Sequence, residues 1–349
     1  MATGNQGFLI FRADGHARIG LGHVMRCLAL AQAWQAVGGE SLFILAGEIS
    51  SVEARLQNEG VKVAYLHAAP GSLQDAAETL KLAEQVGASW IVVDGYHFDS
   101  EYQKSIKGGQ KRLLFIDDTG QQGYYSADII LNQNLHAQET LYPGKESYTK
   151  LLLGPAYVLL RREFSPWLEF RRQTELSARR LLVTLGGADP DNVTLEVLKE
   201  IERIQIKGLE IVVIAGGSNL YLGSLRSYVA SLSHPVRLES NVSDMPQLMA
   251  WADLAISAGG ATCWELAFMG LPHVILVIAD NQVQIAESLN NLGVAFNFGW
   301  PNNLSEGKLT AIITDLLSEP KRRGEMSDKG RKLVDGLGAQ RVLSHLCTH

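Results

Sequence analysis

Leu254-Ala255-Ile256-Ser257-Ala258-Gly259-Gly260-Ala261-Thr262-Cys263-Trp264-Glu265-Leu266-Ala267-Phe268-Met269-Gly270-Leu271-Pro272 is the stretch on which the fold turns. An apolar run, Leu254 to Ser257, ends in paired glycines. A helical pattern follows, and Gly270-Leu271-Pro272 stops it before a second apolar run, Val274 to Ala279. Strand, glycine loop, helix and strand in that order describe a βαβ unit of a doubly wound sheet. Gly259 and Gly260 can bare backbone N–H groups to a diphosphate, Thr262 can add a hydroxyl, and Glu265 can reach a ribose diol. A plain glycine turn with a solvated Glu265 explains the same letters. The Gly-Leu-Pro stop and the strand beyond it favour the nucleotide reading.

The same alternation runs outward in both directions. Upstream apolar runs lie at Phe8 to Phe11, Leu42 to Ala46, Val61 to Leu66, Trp90 to Asp94, Leu113 to Asp117 and Ile129 to Asn132. A second series comprises Leu181 to Leu185, Ile211 to Ala215, Val236 to Leu238, Leu254 to Ser257 and Val274 to Ala279. The spacing predicts an α/β fold of two Rossmann-like domains: residues 1–155, a linker over 156–178 rich in arginine, and residues 179–349. The last helix is free to cross back to the first domain. In open α/β sheets ligands sit beyond the carboxyl ends of the strands, so chemistry is sought in the loops there.

Composition narrows the function. The 349 residues are 46% hydrophobic and 19% charged, enough apolar material for two cores. Thirty-one basic residues stand against 37 acidic ones, a net charge of −6 with no basic block, so no nucleic-acid partner is expected. No apolar segment reaches the length of a membrane span and the N-terminus lacks a leader pattern, so a cytoplasmic protein without a membrane partner is expected. Cys27, Cys263 and Cys347 are in neither disulfide nor zinc-ligand spacing.

The first strand runs into Arg12-Ala13-Asp14-Gly15-His16-Ala17-Arg18-Ile19-Gly20-Leu21-Gly22-His23 and then a helix marked by Val24, Cys27, Leu28, Ala31 and Trp34. Gly20 and Gly22 let backbone approach a ligand at the helix N-terminus, where the dipole favours negative charge. The third glycine of a dinucleotide fingerprint is missing, which argues against NAD. His23 reads equally as a capping histidine or a general base on spacing alone. In the second half, Gly186-Gly187-Ala188-Asp189-Pro190-Asp191-Asn192 makes a tight turn opening a helix. Asp280-Asn281-Gln282 follows the strand Val274 to Ala279. Asn281 and Gln282 offer donors and acceptors to a sugar or phosphate, and an Asx-type cap explains Asn281 as well.

Taken in order, Phe11-Arg12-Ala13-Asp14, Ile19-Gly20-Leu21-Gly22-His23, Asp94-Gly95-Tyr96, Ile116-Asp117-Asp118, Leu131-Asn132-Gln133-Asn134, Gly154-Pro155-Ala156-Tyr157, Arg161-Arg162-Glu163-Phe164 and the two glycine loops resemble a known family. It is the UDP-sugar hydrolase family of pseudaminic acid biosynthesis (PseG), related to MurG-like glycosyltransferases of the GT-B fold. The resemblance implies two Rossmann-like domains with an interdomain cleft and hydrolysis of UDP-2,4-diacetamido-2,4,6-trideoxy-β-L-altropyranose to UDP and the free sugar. It implies His23 as the base that activates water, Tyr96 and Asn281 as active-site partners, and Glu265 as a ribose ligand. His97 competes with Tyr96, and Asp14 either orients His23, binds the sugar or only makes a turn. Arg12, Gly20, Gly22, Gly186, Gly187, Gly259, Gly260, Thr262 and Gln282 complete the expected substrate contacts.

UDP is a good leaving group whose charge loop N–H groups can hold, so no metal and no cofactor is expected. No pair of clustered carboxylates suggests an ordinary glycosidase. Rival readings are a GT-B glycosyltransferase with a UDP-sugar donor, a non-catalytic nucleotide-sugar sensor and, more remotely, an NAD-linked oxidoreductase. The oligomeric state is not legible.

Overall fold

The computed structural model describes residues 6–15, 21–47, 50–187, 189–216, 219–240, 242–304 and 307–347. The chain splits into two compact units, Met1–Arg162 with Gly336–His349, and Glu163–Asp335.

In the first unit β1 (Phe8–Ala13), α1 (Gly22–Ala36), β2 (Glu40–Leu45), α2 (Ser50–Asn58), β3 (Lys62–Tyr65), α3 (Leu73–Gln85), β4 (Trp90–Asp94), α4 (Ser100–Gly108), β5 (Arg112–Ile116), β6 (Ile129–Asn132) and β7 (Lys150–Leu153) follow one another. The strands pair in parallel in the order β3-β2-β1-β4-β5-β6-β7. Both faces of the sheet are covered, so the central strands are near-continuous apolar runs. The period of two still sorts them: Leu9 and Phe11 pack with Val24, Leu28 and Trp34 of α1, whereas Ile10 packs with Ile44, Val93 and Tyr102. Ser72 and Asp99 accept backbone N–H bonds at the starts of α3 and α4 and fix where those helices begin.

The second unit holds β8 (Arg180–Thr184), α5 (Val193–Ile201), β9 (Glu210–Ile214), α6 (Leu222–Val229), β10 (Val236–Glu239), α7 (Met245–Trp251), β11 (Leu254–Ala258), α8 (Thr262–Phe268), β12 (His273–Leu276), α9 (Val283–Leu292), β13 (Ala295–Gly299), α10 (Lys308–Ser318) and α11 (Pro320–Leu333). Its six parallel strands run β10-β9-β8-β11-β12-β13. In each sheet the strand order reverses beside the first strand, between β1 and β4 and between β8 and β11. These are the switch points at which open α/β sheets bind ligands.

A last helix, α12 (Gly338–Leu346), belongs to the first unit. Its Ala339, Val342, Leu343 and Leu346 join the core on the α1 side, and Trp90 Nε1 donates to Leu346 O at 3.1 Å. The 156–178 stretch expected as a linker is divided, residues 156–162 counting with the first unit and 163–178 with the second. Among the described residues no helix is long and apolar enough to cross a membrane.

Candidate active site

His23 enters from the first turn of α1, beyond the carboxyl end of β1, and Asp94 is the last residue of the neighbouring strand β4. The switch point thus brings together two residues 71 positions apart. His23 Nδ1 lies 2.6 Å from Asp94 Oδ1, and Asp94 is fully buried. Arg26, one helical turn after His23, donates through Nε to Asp94 Oδ2 at 2.5 Å and through Nη2 to Oδ1 at 2.7 Å. Its Nη1 reaches both oxygens of Asp118, at 2.8 and 2.9 Å. Asn134 Nδ2 also donates to Asp118, at 2.7 Å.

Burial opposes ionisation of Asp94, but the charge of Arg26 and the hydrogen bonds from Arg26 and His23 outweigh it and hold the carboxyl well below its usual range. The same balance, burial against Arg26, leaves Asp118 depressed. Tyr96 lays its ring edge-on to His23, centroids 4.9 Å apart, and its hydroxyl donates to Asp118 at 3.3 Å. A neutral His23 with its Nδ1 proton on Asp94 presents Nε2 as a proton acceptor. Beside it is a cavity of about 60 Å³ lined by His23, Asp94, Tyr96, Phe115, Asp117 and Gln122. It has room for a few waters.

Asp14 does not orient His23. Its Oδ1 accepts the Ala46 N–H at 2.8 Å and pairs with Arg12 at 2.7 Å, and His97 Nε2 lies 3.1 Å from Oδ2. Asp94 holds the imidazole instead. Arg12, expected to touch substrate, is fully buried and donates to Asp75, Asp14 and the Ile44 carbonyl. Such a cation, turned inward onto β2 and α3, organises the loops. His97 packs on Phe98 and approaches Asp14, so of the two neighbours it is Tyr96 that accompanies His23. Gly22 opens α1. Gly20 and His16 lie outside the described residues.

In the second unit Gly186 and Gly187 follow β8, Gly259 and Gly260 follow β11, and Asn281 and Gln282 follow β12, all at the carboxyl edge of one sheet. Gly186 has φ +90°, open to glycine at no steric cost. Gly259 has a structural reason to be glycine. A Cβ there would meet the Gln282 Cβ at 2.9 Å, and Gln282 Oε1 accepts the N–H groups of both Gly259 and Ile278, each at 3.1 Å. Gln282 is therefore a clip between two loops, and the Gly259 N–H is turned to that clip. Gly260 has open space around it, Thr262 begins α8, Glu265 stands half-buried in its first turn, and Asn281 is exposed. Asp189 spends its carboxylate on the N–H groups of Val193 and Thr194 at the start of α5, at 2.8 and 2.9 Å. Among the described residues no three His, Cys, Asp or Glu side chains are grouped to hold a metal ion.

Sequence reading gives no role to Asp94, Arg26 or Asp118, although two of them lie in the motifs that carry the resemblance. The available signal was His23-x-x-Arg26 at a helix start, with one apolar run ending at Asp94 and another followed by Asp117-Asp118.

The two sheets with this strand order match those of solved glycosyltransferases. MurG of Acinetobacter baumannii superposes over 97% of this chain and 99% of its own with a TM-score of 0.70, at 15% identity. The chain has the GT-B fold. Residues 180–340 match the family model described as the glycosyltransferase family 28 C-terminal domain. Among curated relatives, the uncharacterized protein MJ1062 of Methanocaldococcus jannaschii is 26% identical over 78% of this chain, which spans 55% of that longer protein. The spore coat polysaccharide biosynthesis protein SpsG of Bacillus subtilis is 26% identical over 96% of each chain. The UDP-2,4-diacetamido-2,4,6-trideoxy-β-L-altropyranose hydrolase of Campylobacter jejuni is 23% identical over 82% of this chain and 97% of its own.

Proposed function

We propose that this protein is a metal-independent UDP-sugar hydrolase that converts UDP-2,4-diacetamido-2,4,6-trideoxy-β-L-altropyranose to UDP and the free sugar in pseudaminic acid biosynthesis. The observation that carries the chemistry is the 2.6 Å contact between His23 Nδ1 and Asp94. It supplies a base with a defined tautomer beside a water-sized cavity. The substrate rests on the similarity to the Campylobacter enzyme along nearly its whole length.

In the proposed reaction His23 Nε2 takes a proton from water as the water oxygen attacks the anomeric carbon. The bond from that carbon to the phosphate oxygen breaks, UDP departs with the electron pair, and the configuration inverts. Loops at Gly186, Gly187 and Gly260, with Thr262 and Asn281, hold the diphosphate and sugar, and Glu265 takes the ribose. Asp189 and Asp191 recruit no metal, because Asp189 is committed to capping α5.

The match to the glycosyltransferase family 28 C-terminal domain favours one other reading, transfer of the sugar to an acceptor hydroxyl. The experiment is incubation of the purified protein with the UDP-sugar in excess chelator and no acceptor. Stoichiometric UDP and free sugar are expected. Release only after an acceptor is supplied makes it a transferase, a strict need for magnesium or manganese removes the metal-free step, and UDP binding without turnover makes it a sensor.

A further inference from the structure

We propose that Arg26 is a positioning residue that offsets the charge of Asp94 and Asp118, so that His23 keeps its Nδ1 proton on Asp94 and remains a neutral base. The inference rests on the reading of His23 as that base. An aspartate that touches an imidazole does two things. It fixes the tautomer, which helps a base, and it attracts a second proton, which disables one. Here Asp94 touches the ring from the end of β4, and Asp118, in the loop after β5, stands one residue further out, against Arg26 and the Tyr96 hydroxyl. Uncompensated, their negative charge would draw a second proton toward the ring.

Arg26 sits between them. One guanidinium edge grips both oxygens of Asp94, its Nη1 grips both oxygens of Asp118, and Nη2 comes within 3.4 Å of His23 Nδ1. The three charges therefore sum to −1, and the positive member lies beside the ring. The remaining titratable neighbours, Asp117 in the wall of the same cavity among them, are the same in every variant compared below. The buried Cys27 thiol stays protonated, its ionisation opposed by burial and by Asp94. Asp117 is tied to Thr119, Gly120 and Tyr125, and His136 meets only the Asp118 carbonyl. Tyr96 touches the ring by its edge and sends its hydroxyl to Asp118. Asp118 thus links Arg26 to the aromatic residue beside the base.

Charge bookkeeping gives a test that a purely structural arginine would fail. Arg26→Met leaves −2 at the ring, Asp118→Asn leaves 0, and the double variant restores −1. The acid limb of kcat/KM against pH should move by about one unit or more to higher pH in Arg26→Met, to lower pH in Asp118→Asn, and return close to wild type in the double variant. In parallel, ¹⁵N NMR of the free protein at pH 7 should show His23 as the Nδ1–H tautomer in the wild type and as imidazolium in Arg26→Met. A limb that the double variant does not restore, or an unchanged ring in Arg26→Met, overturns the proposal. Should Arg26→Met fail to fold, Asp118→Asn alone decides through the direction of its limb and its ring titration. Absence of UDP release by the wild type defeats the hydrolase reading, and the NMR arm still judges the role of Arg26.

Discussion

His23 and His273 are both buried histidines, and their surroundings give them opposite tasks. His23 has a carboxylate partner and lines a cavity. His273, at the start of β12, is fully buried, donates only to the Leu271 carbonyl at 3.0 Å and leaves Nε2 without a partner. His23→Ala should lower turnover by about two to four orders of magnitude with UDP affinity nearly unchanged, because the proposed UDP ligands are in the second unit. Near-normal turnover would assign the base elsewhere. For His273, burial pushes the pKa down to about 4, only partly offset by its backbone bond. The folded value lies below the unfolded one, so the neutral ring's contribution is complete above pH 6.5 and is lost as pH falls toward 4. His273→Leu should therefore flatten the stability profile in that window, by about 2 kcal/mol at pH 5 relative to pH 7.5. Denaturant melts at the two pH values measure it, and an unchanged slope would contradict the assignment. At this scale the sequence named His23 and Tyr96 as candidates, and the structure sets their rings side by side. It did not show their partners, since Arg26 meets Asp94 and Asp118, 68 and 92 positions further on, only once the chain has folded. Arg12 misled because an arginine near the end of a first strand looks the same whether it faces ligand or the buried Asp75.

Helices and strands were legible where their apolar runs were long. The two strands absent from the sequence reading are the sheet edges β7 and β13. Lys150–Leu153 has four residues, and Ala295–Gly299 carries Asn297 and shifts register against Ile275 and Leu276. Edge position alone does not account for this, because the equally short opposite edges β3 and β10 were found from their apolar runs. The arginines of the supposed linker had another purpose. Arg172 donates to the Met249 and Ala252 carbonyls at the end of α7, and Arg323 of α11 donates to Leu316 and Leu317 at the end of α10 and to Glu175. Cations at helix C-termini satisfy carbonyls that have no partner in the helix. They tie residues 163–178 to helices α7 and α11 of the second unit. The α12 docking has a similar sharp test. Gly338 lies so close to the turn at Pro155–Tyr157 that a Cβ would stand 2.1 Å from the Val158 carbonyl oxygen. Backbone there cannot give way, so Gly338→Ala should destabilise the first unit by about 1–3 kcal/mol. Calorimetry should show the lower Tm in one transition and leave the other in place. A shift in neither would mean that α12 contributes little to that core.

At the scale of the whole molecule, the chain leaves the first unit at Arg162, builds the second, and returns at Gly336 to finish the first. The second unit is thus continuous in sequence and the first is not. The second unit has its own six-stranded sheet and a core that runs from Ala178 to Met326, so residues 163–335 should fold alone. A fragment starting at 179 would lose Arg172 and the Glu175 carbonyl, and with them the ties to α7 and α11. Every proposed UDP ligand lies inside 163–335, at the carboxyl edge of that sheet. The fragment should therefore gain thermal stability on adding UDP, by about 2.7 kcal/mol at a hundred times Kd, with no gain from NAD. A fragment that melts cooperatively yet ignores UDP would show that the first unit is required for the nucleotide. In that case the loops at Gly186 and Gly260 would lose their proposed role, whereas the His23 and Asp94 pair, which lies wholly in the other unit, would be untouched by the result.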